Sequence, residues 1–443
     1  MLDRLTVLAH ALGEGRWMFR ERAALERHQE RLAAEHLRWV AAHSPYTAER
    51  FQQSTLSVGQ WRDLPPISKP EMMGNFDRLN TAGLPLKTVL EVARRAEVTR
   101  DFTPTLSTPS GEMTVGLSSG TSGTQGVFLV SRAERLQWAG AVLRWLLPPP
   151  WPASLLKRQR VAFVLRAEGQ LYRSVSGSRL QFQFLDLLRP VPELAADLSA
   201  AHPTLLAGPP SVLRALLDAG ADAHPARVVS VAEVLEDDDR AALEAGFGPV
   251  VQVYQATEGL LALPCPHGHL HLNEAHVHFD FEALPGGYQR PIITDLRRRA
   301  QPMIRHRLDD VLLLAEGGGC TCGLASRRIE RVVGRQDDAL NLPSSAGTRL
   351  TVWPDFVRAA MNTAAGLREY RAEQTDAAHL QLSLEPDTVS TRTAAARELR
   401  AALDRLGVGA VTLSFSPLLA DPLGTKRRRV RQRWTPSRPH GAD

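Results

Sequence analysis

The sequence predicts an α/β protein with two unequal domains, and three observations support this prediction. The chain has 443 residues, 43% of them hydrophobic, which suits a large core and exceeds one typical domain. From about residue 113, short apolar segments alternate with helical patterns, which favours a mainly parallel sheet. After about residue 334, alternating strand patterns flank an amphipathic helix, which predicts a small α+β domain. We therefore expect a large domain with mixed or parallel sheets over 1–335 and a small one over 336–443.

Individual elements follow from the apolar pattern. Helices are expected over about 1–60, because residues 14–55 are rich in Glu, Arg, Ala and Leu with apolar residues near helical spacing. Buried strands of the large domain are expected at 161–165, 204–207, 227–231 and 250–254, with helices at 211–219 and 237–245. In the small domain, strands are expected at 379–384 and 410–415, with a helix at 391–406 between them.

The net charge and the number of cysteines limit the classes of protein to which the chain could belong. The formal charge of +5 and the isoelectric point near 9.4 are modest for this length, and the arginine clusters suit nucleotide phosphates, nucleic acid or a solvated surface. Three cysteines do not form a disulfide framework and favour a reducing cytoplasm. The apolar run near the N-terminus is short and lacks a strongly basic lead, so we interpret it as an amphipathic helix. No apolar stretch reaches the ~18 residues of a membrane span, and none is expected.

A loop rich in serine, threonine and glycine carries the strongest local pattern. Glycines allow backbone N–H groups to approach an anion closely, and hydroxyl groups add donors. The pattern lacks the Gly-Lys-Ser/Thr ending of a P-loop, and composition alone leaves a surface loop as an alternative. The candidate phosphate-binding residues are Ser118, Ser119, Gly120, Thr121, Ser122, Gly123 and Thr124.

Four further segments accompany this loop in a fixed order. They are 254–259 (YQATEG), 302–310 (PMIRHRLDD), 334–338 (GRQDD) and 424–430 (GTKRRRV). Together with the loop they resemble the motifs of the adenylate-forming superfamily of ligases and synthetases, over roughly residues 60–443. The resemblance implies a large N-terminal adenylate-forming domain and a small, mobile C-terminal domain. Within the superfamily, 329–338 and the preceding Cys-x-Cys-Gly are most similar to phenylacetate–coenzyme A ligase and to synthetases that adenylate a deazaflavin coenzyme.

The resemblance also implies a role for each motif. ATP and Mg²⁺ would be the cofactors, and the residues would act as follows: Tyr254 packs against adenine, Thr257 contacts phosphate, Glu258 helps to place magnesium, Asp310 (or Asp309) holds the ribose, Arg335 binds the nucleotide, Asp337 is the hinge, and Lys426 reaches the α-phosphate. The chemistry is consistent, because charge develops on the transferring phosphorus and on the leaving pyrophosphate. Taken without the resemblance, Lys426 fits a solvated basic tail and Glu258 a surface ion pair.

The substrate is less well defined. Gly208, Ser211 and Glu233 lie where the family has its acceptor pocket and adenine-facing turn, so we expect Glu233 near adenine. A carboxylic acid, first of all an aromatic one, is the expected substrate, with transfer to CoA, a carrier or a partner enzyme as a second step. The residues after Asp338 depart from the family pattern and Gln255 replaces its usual glycine, which puts the second step in doubt. Adenylation of a hydroxyl group is an alternative, and the oligomeric state, including a dimer, is left open.

The cysteines form a second group of candidate ligands. Cys265 lies close to His267, His269 and His271, and Cys320 and Cys322 form a Cys-x-Cys pair. Cysteine and histidine are preferred ligands of structural zinc. We expect a Cys3His zinc site of Cys265, His271, Cys320 and Cys322, because His271 best matches the related ligases. His267 and His269 are alternatives, and unrelated reduced thiols are the simpler interpretation.

Two other classes compete with an enzyme. A non-catalytic nucleotide-binding module would explain the altered residues after Asp338. A nucleic-acid-binding protein would explain the arginine clusters and would bind polynucleotide with a steep salt dependence. The ordered motifs favour the enzyme over both, and no nucleic-acid partner is expected.

Lys426 provides the first test. Replacing it by alanine removes the cation expected at the reacting phosphorus, so Lys426→Ala should lower the rate of adenylation at least about tenfold. Substrate-dependent exchange of labelled pyrophosphate into ATP measures this rate. An unchanged rate in the variant would refute the role.

Overall fold

The computed structural model describes residues 2–118, 126–148, 150–166, 179–317, 319–419, 421 and 425–434. Two compact units divide the chain. The first comprises Met1–Glu282, Arg290–Leu308 and Leu314–Glu330, and the second comprises Ala283–Gln289, Asp309–Leu313 and Arg331–Asp443. A domain boundary between 335 and 336 stays a prediction. Among the described residues, no helix combines the length and apolarity that crossing a membrane requires.

The first unit begins with helices, as the sequence predicts. They are α1 (Leu2–Gly13), α2 (Arg22–His43), α3 (Pro45–Gln53), α4 (Lys69–Gly74), α5 (Phe76–Leu79) and α6 (Leu86–Thr99), with short 3₁₀ turns at Glu14–Trp17 and Val58–Asp63. Ser44 defines the start of α3, since its hydroxyl accepts a hydrogen bond from the Thr47 N–H and a proline follows at the first helical position. Val7 and Ala11 of α1 are buried in a cluster with side chains of α7 (Arg132–Leu146).

The centre of the first unit is a parallel sheet. Its strands are β4 (Gln159–Leu165), β5 (Leu180–Asp186), β6 (Leu205–Gly208), β7 (Arg227–Ser230) and β8 (Val250–Gln252), in the order β5-β4-β6-β7-β8. Helices α8 (Val191–Ala201), α9 (Pro210–Asp218) and α10 (Asp237–Gly246) follow β5, β6 and β7. Their apolar residues form a core with β4, β6 and β7. Because the chain leaves β4 toward β5 and returns to β6, the sheet has a topological switch point between β4 and β6.

Antiparallel strands complete the first unit. β1 (Leu106–Thr108), β2 (Gly111–Leu117) and β3 (Val127–Ser131) form one sheet, in which Leu117 lies opposite Val127. β9 (Tyr254–Ala256), β10 (Gly259–Pro264) and β11 (Leu270–Leu272) form another. β14 (His306–Arg307) lies opposite Ile292 and Ile293. The strands β12 (Val277–Ala283), β13 (Gln289–Asp295), β15 (Asp310–Leu314) and β16 (Ile329–Arg335) each contribute residues to both units.

The second unit is built on a four-stranded sheet. Its strands β19 (Glu369–Asp376), β20 (His379–Glu385), β21 (Thr412–Pro417) and β22 (Val430–Gln432) lie in the order β21-β20-β19-β22. A hairpin of β17 (Leu340–Pro343) and β18 (Arg349–Val352) precedes it. Apolar residues of α11 (Pro354–Asn362) and α12 (Val389–Arg405) share one core with this sheet.

The fold class predicted from the sequence is confirmed. The expected strands correspond to β4, β6, β7, β8, β20 and β21, and the expected helices to α9, α10 and α12. One expected strand, 250–254, is divided into β8 and β9, because β8 continues the parallel sheet while Tyr254 pairs with β10.

The central strand β6 provides a stability test. Leu206 is fully buried, whereas Leu156 is 73% exposed. Leu206→Ala should lower the free energy of unfolding by about 2–5 kcal/mol through lost burial and a cavity. The same change at Leu156 should alter it by less than about 0.5 kcal/mol. Urea unfolding followed by tryptophan fluorescence compares the two, and equal midpoints would contradict the expectation.

Candidate functional site

Several predicted site residues lie at the carboxyl edge of the parallel sheet. β6 ends at Gly208, whose carbonyl accepts a hydrogen bond from the Val231 N–H at 3.1 Å. The Glu233 side chain accepts a hydrogen bond from the backbone N–H of Ser211 at 3.3 Å. β8 ends at the same edge and leads into Tyr254, which is buried. This edge of an open α/β sheet is where ligands usually bind, so the positions of Glu233 and Tyr254 suit a nucleotide base.

The Ser/Thr/Gly loop connects the two strands of a hairpin, β2 and β3. Ser118 and Gly126 form its neck: the Ser118 N–H donates to the Gly126 carbonyl at 2.8 Å, and the Gly126 N–H donates to the Ser118 hydroxyl at 2.9 Å. Ser118 is buried. The other predicted loop residues, Ser119, Gly120, Thr121, Ser122, Gly123 and Thr124, lie outside the described residues.

Thr257 and Glu258 form the two-residue turn of the next hairpin. Ala256 lies opposite Gly259 in the β9–β10 pair, which leaves only these two residues at the turn. The buried guanidinium of Arg298 donates to the Thr257 carbonyl at 2.6 Å and to the Gln301 side chain at 3.1 Å. The turn is therefore held by the segment that follows β13.

The carboxylate of Glu258 is buried among groups that favour its charged form. Its Oε2 accepts a hydrogen bond from the Thr257 hydroxyl at 2.9 Å, and its Oε1 lies 3.7 Å from Lys69 Nζ. Burial alone raises the pKa of Glu258, but the charges of His306 and Lys69 and the Thr257 hydroxyl outweigh burial and lower it. Glu258 is thus a charged, inward-facing oxygen donor at neutral pH, which suits a divalent cation.

Three residues that contact or influence this turn were not singled out from the sequence: Lys69, His306 and Arg298. Ile67 forms a parallel bridge with His306, and this bridge fixes both Lys69 and His306 near Glu258. The bridge joins distant parts of the chain, so no local pattern indicates it. For Lys69 a sequence feature was present, because lysine occurs at only four positions in a chain with 53 Lys and Arg residues.

The other residues predicted to bind the nucleotide, Asp310, Arg335 and Lys426, belong to the second unit. Arg335 ends β16 and lies 3.2 Å from Asp309 and 3.1 Å from Asp337. Burial lowers the pKa of Arg335, but the surrounding aspartates, Asp337 and Asp310 foremost, outweigh it and raise it. Arg335, Asp310 and the predicted hinge residue Asp337 therefore form one charged group. The Asp309 side chain contacts Arg335 directly.

Lys426 lies next to an anchored segment of the same unit. Arg428 Nε donates to the buried carboxylate of Asp338 at 2.9 Å. Arg429 makes a two-pronged pair with Glu369, at 2.6 and 2.9 Å. Burial raises the pKa of Glu369, but Arg429 outweighs it, so the pKa is lowered. The segment that carries Lys426 is thus fixed to the residues that follow β16 and to β19.

The structure brings the four predicted metal ligands together. One donor atom from each of Cys265, His271, Cys320 and Cys322 lies within 4.8 Å of all the others. Cys265 Sγ lies 3.9 Å from Cys320 Sγ, and Cys322 Sγ lies 3.6 Å from His271 Nε2. His271 Nδ1 lies 2.9 Å from the Ser326 carbonyl, an arrangement that directs Nε2 toward the thiols. These separations are about the edge lengths of a tetrahedron around zinc.

One thiol of the group, that of Cys320, is also in the form that binds a metal. Burial raises the pKa of Cys320, but the Cys322 N–H, His271 and His269 outweigh it, so that the pKa falls to about 5. Cys320 is therefore a thiolate at neutral pH, which is the form that binds metals. His269 Nδ1 lies 3.1 Å from Cys320 Sγ but its side chain is exposed, and His267 is exposed as well.

Comparison with known proteins identifies the fold. No family model and no curated protein sequence matches the chain. Among solved structures, 2-hydroxyisobutyryl-CoA ligase in the postadenylation state with 2-HIB-AMP is similar, with a TM-score of 0.66, 16% identity, and coverage of 93% of this chain and 89% of that chain. The same ligase with 2-HIB-AMP and CoA gives a TM-score of 0.53 at 16% identity, with coverage of 93% and 89%. The amide bond synthetase McbA from Marinactinospora thermotolerans gives 0.50 at 14% identity, with coverage of 72% and 67%. These neighbours are adenylate-forming ligases, and the chain has their fold.

Proposed function

We propose that this protein is an ATP-dependent ligase that converts a carboxylic acid into its acyl adenylate and releases pyrophosphate. The observation that carries this proposal is the position of Glu258. A charged, buried carboxylate lies at the hairpin turn of 257–258, and Lys69, its cationic neighbour, lies against the neck of the Ser/Thr/Gly loop. An anion-binding loop combined with a carboxylate for a divalent cation is what a magnesium nucleotide requires.

The chain's residues divide the chemistry between them. A carboxylate oxygen of the acid forms a bond to the α-phosphorus of ATP, and the bond from that phosphorus to the pyrophosphate oxygen breaks. Mg²⁺ held by Glu258 would neutralise charge on the phosphates. Tyr254 and Glu233 would bind the adenine, Asp310 and Arg335 the ribose and nucleotide, and Lys426 the charge that develops at the α-phosphorus.

The resemblance narrows our proposal for the acid substrate and for the acceptor of the second step. The similarity of 329–338 to phenylacetate–coenzyme A ligases makes an aromatic acid our first candidate. CoA is our first candidate for the second step, and the neighbouring 2-hydroxyisobutyryl-CoA ligase has been solved with CoA. The three free cysteines fit a reducing compartment, and we propose the cytoplasm.

One observation favours an alternative reaction without the thioester step. The residues after Asp338 form strand β17 and its hairpin with β18, in place of the family's usual basic and glycine residues. Adenylation without a following thioester step, including adenylation of a hydroxyl group, would require nothing from this segment.

Pyrophosphate exchange tests the proposed function directly. A panel of aryl, fatty and amino acids and phenols should include one class that supports exchange of labelled pyrophosphate into ATP. Glu258→Gln removes the charge that positions the cation and should lower this exchange by about 10²-fold or more. Exchange with phenols alone would instead favour the hydroxyl alternative, and ATP binding without any exchange would favour a non-catalytic module.

We also propose that Cys265, His271, Cys320 and Cys322 bind one structural Zn²⁺. Four protein donors at tetrahedral separations leave no position for substrate, so the metal would tie the β10–β11 hairpin to the segment before β16. Purified protein should contain about one equivalent of zinc, and His271→Gln should reduce it to below about a tenth. His267→Gln, at an exposed histidine in the turn before β11, is the matched control and should keep the metal. Zinc retained in His271→Gln would rule out this ligand set.

A further inference from the structure

Lys69 lies between the neck of the Ser/Thr/Gly loop and Glu258. It is the first residue of α4, and Ser68 begins that helix by accepting a hydrogen bond from the Glu71 N–H at 3.4 Å. Backbone hydrogen bonds from Ile67 N–H to Arg305 and from Arg307 N–H to Ile67, both 2.9 Å, fix the chain just before it. The lysine side chain is only 15% exposed, and that of Glu258 is 10% exposed. Lys69 is therefore an inward-facing cation on a fixed segment.

The loop neck leaves room for this side chain. A Cβ atom added to Gly126 would lie 2.7 Å from Lys69 Cε and 3.4 Å from Lys69 Nζ. The 2.7 Å separation is shorter than real Cβ contacts, so glycine at 126 leaves the space that the end of the lysine side chain occupies. The ammonium group thus lies against the loop that we expect to hold phosphates, 3.7 Å from the carboxylate that we expect to hold Mg²⁺.

The composition of the chain sets this residue apart. Only Lys69, Lys87, Lys157 and Lys426 are lysines, although Lys and Arg together number 53. Lys87 and Lys157 are exposed, whereas Lys69 and Lys426 are partly buried. A lysine ammonium is a compact charge with three donors on a flexible stem, and arginine cannot replace it where space is narrow. Of the four lysines, Lys69 is thus one of the two that are not exposed.

We propose that Lys69 binds the β- and γ-phosphates of ATP and stabilises the pyrophosphate as it leaves, and that it neutralises Glu258 when no nucleotide is bound. This inference rests on the proposed function. In the nucleotide-free protein, the buried carboxylate needs cationic neighbours, and Lys69 is one of them beside His306. With Mg²⁺ held by Glu258, the Lys69 ammonium would be available to donate to phosphate oxygens.

Nucleotide binding tests this role without knowledge of the acid. MgATP, AMP and inorganic pyrophosphate are titrated by calorimetry into the full-length wild type, Lys69→Met and Lys69→Gln. The loss of a charge-assisted hydrogen bond to phosphate should weaken MgATP and pyrophosphate about ten- to a hundredfold and leave AMP within roughly twofold. Lys69→Gln keeps a donor for Glu258 and therefore serves if Lys69→Met does not fold. Lys87→Met is the matched control at an exposed lysine and should bind all three ligands like the wild type.

The outcomes separate the two proposals. Equal losses of MgATP and AMP affinity in the Lys69 variants would mean that the lysine only supports the structure around Glu258. Unchanged affinities would remove it from the phosphate site and leave the proposed function standing. A wild-type protein that binds neither MgATP nor pyrophosphate would overturn the proposed function and, with it, the role of Lys69.

Discussion

The burial of the Glu258 carboxylate is the constraint on which the candidate site depends. A charged carboxylate inside a protein is stable only with hydrogen bonds and a cation, because desolvation costs several kcal/mol when it is unpaired. The Thr257 hydroxyl supplies one hydrogen bond, Lys69 and His306 are the cationic neighbours, and Arg298 holds the turn itself through the Thr257 carbonyl. These partners come from three distant parts of the sequence. The fold of the first unit therefore keeps the Glu258 carboxylate charged and directed inward.

Much of the fold was predictable because it depends on local patterns. Short apolar runs predicted the parallel strands β4, β6, β7 and β8, though not β5, and helical spacing predicted α9, α10 and α12, since both patterns depend on residues a few positions apart. The site was predictable only where a motif carries its residues together, as at 254–259. Lys69 and His306 were missed because the bridge between Ile67 and His306 joins segments whose sequences share no pattern. The division of 250–254 into two strands was also missed, since it follows from which neighbour each half pairs with.

The histidine cluster shows what geometry adds to spacing. Three histidines follow Cys265 within six residues, and spacing alone left them as alternatives. In the structure, His271 lies in β11 opposite Leu263, and its Nδ1 faces the Ser326 carbonyl. The pairing of the strand orients the ring, and the carbonyl selects the nitrogen that faces the thiols. His267 and His269 are exposed instead, so burial and backbone pairing favour His271 among residues of equal chemistry.

The anchoring of the segment after Lys426 has a consequence for timing. Asp338 and Glu369 hold Arg428 and Arg429, and β22 begins at the next residue. If Lys426 acts as we propose, its backbone is already ordered when the nucleotide arrives. The conformational entropy that a flexible loop would lose on binding the nucleotide is then lost once, during folding, and not again in every turnover. In an enzyme built in this way, the slow step would be the movement of the whole ordered segment that carries Lys426. Its rate would then depend on solvent viscosity more than on the local flexibility of the chain around the lysine.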